Sequence, residues 1–410
     1  MKYAVVVMLI VTGCYFPSVV VAQQKVLLPN GWTLSPAGRS FPLGDLPLNI
    51  AVSKSKKLMA VTNNGQSVQS IHLINPVTEK VLDNVIVAKS WYGLKFSADE
   101  KILYASGGND NWILVYAINN NKLQLKDSIL LGKKWPEKIS PAGIDIDDAA
   151  KKMFIVTKEN NSLYIVDLRT KEIIHQQSLQ EPAYSCLLSG NKKELYISLW
   201  GGKKVLIVDI AGKKIIGEIN VGENPNELLL SKNGRTLFVA NAGDNSVSVI
   251  DVAKRNVLEV LNAALYPDAP TGSASNGLAM SEDQKTLYVA NADNNSLTVF
   301  DVTKPGFSKS KGFIPVGWYP TNVKVIGKKI FVANGKGFSS LPNAKGPDPT
   351  KKDQDVIYQQ GDFKSKQSRI EYIGGLFKGT MSIIDEPSTS QLAVYSKMLY
   401  ANTPYTKERE

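Results

Sequence analysis

Side chains able to do chemistry are few in this 410-residue chain, and they are scattered. The two histidines, His72 and His175, lie far apart in the sequence, and no cysteine or carboxylate accompanies either at a metal-ligand spacing. Each reads as a structural histidine. Cys186 sits in the apolar run Cys186–Leu188 and reads as a small buried hydrophobe rather than a nucleophile. Neither GxSxG nor HExxH occurs, and Gly335, Lys336 and Gly337 do not fit a phosphate-binding loop. Asp and Asn in the DNN and NDN stretches suggest calcium, but they equally fit hairpin turns that need no ion. No catalytic residue, metal ligand or cofactor is expected. What remains is recognition chemistry. Aromatic and amide residues recur at Trp91, Tyr92, Trp135, Tyr184, Asn226, Asn276, Trp318 and Tyr319, joined by one acid, Glu227, and one base, Lys336. Such residues beside a concave mouth are enriched at binding sites, although many also serve as packing.

The elements that must position them are β-hairpins. Thr236–Asp251, TLFVANAGDNSVSVID, places β-branched and apolar residues in two short runs around a Gly, Asn and Asp turn. The chain repeats itself at Thr286–Asp301, TLYVANADNNSLTVFD, and more weakly at Leu58, Ile102, Met153, Glu194 and Ile330. Closing aspartates Asp167, Asp209, Asp251 and Asp301 are spaced 42, 42 and 50 apart. That period matches a four-stranded propeller blade of roughly 40 to 45 residues. A third strand precedes each hairpin and a fourth follows it, which predicts an all-β, seven-bladed propeller.

VANAGDNSVSVID and VANADNNSLTVFD resemble the YVTN repeat of the seven-bladed, YncE-like propellers of bacterial and archaeal envelopes, with Ala in place of Thr. Two further segments, LPNGWTLSPAGRSFPLGDLP from Leu28 and VANGKGFSSLPN with YIGGLFKGTMSIID, are similar to a narrower set. In that set the propeller precedes an alkaline-phosphatase-superfamily phosphoesterase domain. The Asp and His metal ligands and the Thr or Ser nucleophile of that domain have no counterpart segments here, so its activity is not expected.

Residues 1–22 read as a secretory signal, with Val20, Val21 and Ala22 as a small-residue cleavage site. Cys14 in a lipoprotein-like box is the alternative. The expectation is a periplasmic or extracellular protein without a transmembrane span, and a monomer. Residues 23–387 form the propeller, with an insert at 335–379 in the last blade. The orphan strand within Trp32–Leu43 should close the ring as that blade's outer strand. Residues 388–410 carry apolar side chains at helical spacing and read as a short helical tail or linker.

The net charge of +11 comes largely from lysine doublets at turns, such as Lys56 with Lys57 and Lys192 with Lys193. Alternating strand direction puts most of these on one face and the inter-blade aromatic loops on the other. Basic and aromatic residues thus fall on opposite faces, which weakens a nucleic-acid reading. At the start of the inner strands Asn49, Gly93, Gly143, Ser185, Glu227, Gly277 and Asn322 occupy equivalent positions, with Glu227 the only charge. Three functions are compatible. The favoured one is a non-catalytic exported propeller engaging a phosphoesterase-type protein or another envelope component through the aromatic face and the insert. The others are a lactonase-like hydrolase at the central mouth and a nucleic-acid-binding propeller.

Overall fold

The computed structural model describes residues 25–134, 136–339, 341–352, 354–357 and 368–404. The expected signal segment with Cys14, and Trp135, lie outside the described residues.

Seven four-stranded antiparallel sheets make the blades of a propeller. Blade five shows why these residues form strands: Pro225–Leu230, Thr236–Asn241, Ser246–Asp251 and Asn256–Asn262 are rich in Val, Leu and Ile. Such side chains fit a pleated surface that is covered on both faces. The two middle strands are buried almost throughout. Blades pack face to face, so Phe238, Val247 and Val249 of blade five share a core with Leu278, Leu287 and Val289 of blade six. Fully burying each such side chain contributes roughly 1.5–3 kcal/mol. Inner strands crowd toward the axis, which explains the small residues there. A Cβ on Gly93 would lie 2.3 Å from the Ala142 carbonyl oxygen, and one on Gly277 would lie 2.7 Å from the Asn322 Cα.

Blade seven is assembled from both ends of the chain. Its strands are Trp318–Ile326, Lys329–Gly337, Thr380–Asp385 and, outermost, Arg39–Pro42. Arg39 pairs with Ile383 and Ser40 with Ser382, so the ring closes as expected. The second strand runs on through Gly335, Lys336 and Gly337, which the sequence had placed in the insert. The other part of the orphan segment, Thr33–Leu34, pairs instead with Val26–Leu27.

Helix α1, Thr389–Tyr400, starts at Ser388, whose hydroxyl accepts from the Gln391 N–H. It packs by Leu392 against the core between blades six and seven, and by Leu399 against Leu28, Trp32 and Leu34. Asn402 just beyond it accepts from the hydroxyls of Thr33 and Ser35 through its side-chain oxygen. No helix among the described residues is long and apolar enough to cross a membrane.

Candidate functional site

The repeated asparagines account for most of the repeat's polar chemistry. At the end of the second strand, Asn241, Asn291 and Asn334 are fully buried and donate to Ser or Thr hydroxyls of the third strand, such as Ser248, Thr298 and Ser382. In the turns, Asn111, Asn245 and Asn295 take positive φ values of 61°, 57° and 51°, which Asn tolerates better than most residues. Their side-chain oxygens accept from backbone N–H groups at or just before the start of the next blade's first strand: Ser140 for Asn111, Ser273 for Asn245 and Tyr319 for Asn295. These carboxamides therefore pin the loops. No cluster of metal-ligating side chains is found among the described residues.

A central cavity of about 800 Å³ follows the axis. Asn49, Tyr92, Ser185 and Glu227, near the loop-face end of the inner strands, are buried, whereas Lys54, Lys56, Lys232 and Glu282, in the turns at the far end, are exposed. The cavity thus opens on the lysine-rich face rather than on the aromatic one. At the closed end the rings of Tyr92 and Tyr184 pack with centroids 4.6 Å apart. Burial, and next the charge of Glu227, push both phenols well above their usual range.

Glu227 is not the only charge in this interior, which corrects the sequence reading. Two positions further along the inner strands stand Lys95, Asp145 and Lys324. Lys324 Nζ donates to Glu227 Oε1 at 2.5 Å, and Lys95 Nζ meets Asp145 Oδ1 at 2.7 Å. The carboxylates are buried and saturated: Glu227 Oε2 accepts from the Leu278 N–H and the Asn322 amide, and Asp145 Oδ2 from the Leu188 N–H. Glu227 therefore links blades five, six and seven, as Asp145 links blades two, three and four. The Asp145 charge raises the Lys95 ammonium further above its usual range. These lysines were missed because only the first polar position of each inner strand was compared; the period-2 alternation of a strand puts the next same-facing residue two places on.

His72 and Cys186 are buried structural groups. Asn63 Nδ2 donates to His72 Nδ1 at 2.7 Å, and burial lowers this imidazole to about 4. The Cys186 thiol is buried 3.7 Å from the Phe154 carbonyl oxygen, and burial pushes it well above the usual thiol range.

On the loop face the candidate residues fall into separate groups. Tyr92, Tyr184 and Glu227 converge at the closed end of the cavity. Asn226 is buried and donates to the Asn276 side-chain oxygen at 3.0 Å, joining blades five and six. Trp91 lies under Lys158, whose ammonium is 4.4 Å from its ring centroid. Trp318, Tyr319 and Lys336 come together with Phe377, which the sequence reading had left aside. Lys336 Nζ lies 4.4 Å from the Tyr319 ring, 5.3 Å from Trp318 and 5.7 Å from Phe377. Trp318 and Phe377 meet edge to face at 5.4 Å. Tyr319 has φ of 64°, a strained conformation for a bulky residue, held by its N–H bond to Asn295. Lysines over Trp91, Trp112 and Tyr319 show that basic and aromatic side chains are not confined to opposite faces, contrary to the sequence reading.

This cluster borders a second cavity of about 350 Å³, lined by Pro29, Asn30, Asp293, Trp318, Lys336, Leu341, Ile373, Leu376 and Phe377. Its outer wall belongs to the insert. Burial raises the Asp293 carboxyl above its usual range, and the Lys336 charge opposes that shift.

The model of the YNCE-like beta-propeller family matches residues 19–328, most of the chain. The chain belongs to the YNCE-like β-propeller family. Among solved structures this YNCE-like propeller is similar to hydrazine synthase of Kuenenia stuttgartiensis, at 19% identity over 70% of this chain and 92% of that one, with a TM-score of 0.60. It is also similar to U3-55K, at 10% identity over 85% of this chain and all of the other, with a TM-score of 0.62. At such identities the likeness is one of fold. No curated protein matches. The family match stops short of the second strand of blade seven, so Lys336, Phe377 and the insert of this YNCE-like propeller lie beyond it.

Proposed function

We propose that this propeller is a non-catalytic, exported binding module that engages a protein of the cell envelope through the loop face beside the blade-seven insert. The observation that carries the reading is the 350 Å³ cavity walled by that insert, with Leu341, Tyr372 and Ile373 exposed at 48%, 42% and 54% around it. Apolar side chains left in water next to a concave, aromatic-walled site favour an interaction surface. The fixed Lys336 ammonium supplies a charge that would orient an acidic group on the partner. A phosphoesterase-type protein is one such partner, on the strength of the resemblance in the Leu28 and Tyr372 segments. Export rests on the character of residues 1–22.

The test is affinity capture from envelope extract with the mature protein, with a variant carrying a short turn in place of residues 338–379, and with Phe377→Ala. Capture of the same envelope protein by the parent alone, repeated with the purified partner, is the expected result. Equal recovery by all three forms would remove the insert face from the function.

A further inference from the structure

The central cavity is separate from the insert face, and its charges are arranged unequally. Asp145 and Glu227 have side chains only 5% and 8% exposed, with their oxygens occupied by backbone N–H groups, an amide and one ammonium each. The lysines are the more accessible halves of the pairs, with side chains 40% exposed for Lys95 and 22% for Lys324. An ammonium has three N–H donors. Lys95 uses one on Asp145, and Lys324 uses two, on Glu227 and the Leu278 carbonyl oxygen. Each therefore retains a donor, and both line the cavity.

Lys95 leans toward blade three and Lys324 toward blade five, so the two ammoniums occupy opposite sides of the axis. Ala51 of blade one and Leu187 of blade four stand between them, with Leu229 and Ala279 completing an apolar wall. At the mouth Lys54, Lys56 and Lys232 outnumber Asp148 and Glu282, a bias that draws anions inward. We propose that this cavity binds a small organic dianion, a short-chain dicarboxylate whose two ends meet Lys95 and Lys324 and whose carbon chain crosses the apolar wall. Two fixed donors separated by hydrocarbon match such a molecule better than a single compact anion, which would reach one lysine and leave the wall unmatched.

Titration calorimetry of the full mature protein with succinate, glutarate and adipate, against butyrate and 1,4-butanediol, tests the proposal. One diacid should bind saturably at 1:1, at least tenfold more tightly than butyrate. The paired variants Lys95→Met with Asp145→Asn, and Lys324→Met with Glu227→Gln, remove each charge pair together and should each weaken that binding tenfold or more. Lys171→Ala and Lys214→Ala, exposed and outside the cavity lining, should change it less than threefold. Independently of any variant, the bound diacid should protect Lys95 and Lys324 of the unaltered protein from reductive methylation. Diacids binding no better than butyrate, paired variants binding like the parent, or unchanged methylation of both lysines would each overturn the proposal.

Discussion

Glu227 of blade five and Lys324 of blade seven meet at 2.5 Å across blade six. The same carboxylate takes the Leu278 N–H of the blade it passes over. One side chain thus ties three successive blades whose sheets are separate.

Removing that carboxylate strands three donors in a largely buried site. Glu227→Leu is expected to lower the unfolding free energy by about 3–5 kcal/mol, because a buried charge without its partner costs more than the pair contributes. Adding Lys324→Met to it should recover part of the loss. Urea unfolding of both single variants and the double variant measures the coupling. Additive losses would show that the two groups do not act together.

His72 makes stability depend on pH. Its imidazole is lowered to about 4 in the fold, so the unfolded chain, with an ordinary value near 6.5, binds the extra proton first. Stability is full above pH 6.5, falls as the pH drops from about 6.5 to 4, and loses nothing further from this group below that. The span corresponds to about 3 kcal/mol. His72→Gln should flatten this part of the profile relative to the parent when thermal midpoints are followed from pH 7 to 4. Parallel profiles would place the imidazole outside the buried site.

Tyr319 separates backbone strain from ring contacts. At φ of 64° a glycine is relaxed and an alanine is not, so Tyr319→Gly should unfold at higher urea than Tyr319→Ala by about 1 kcal/mol, although both lose the ring over Lys336. Equal stability of the two variants would mean that the left-handed conformation is not retained in solution.

The repeat makes the architecture legible in the sequence. Strand, turn, strand and closing Asp are local features, written in alternation and in Asn and Gly turn residues, and seven copies at a blade-sized spacing leave few other folds. The short helix and the closing strand from Arg39 were legible for the same reason, the first from its apolar spacing and the second from an unpaired segment at each end of the chain. The central ion pairs were not. Glu227 and Lys324 are 97 residues apart, and their meeting depends on how far ring closure tilts three blades toward one axis. Lys336 likewise finds Trp318 and Tyr319 through the pairing of the first two strands of blade seven, where Trp318 lies opposite Gly337, and Phe377 through the return of the insert's far end. Sequence determines what each blade is, since hairpin formation involves neighbours; which side chains of different blades touch is decided by the curvature of the closed ring, to which every blade contributes.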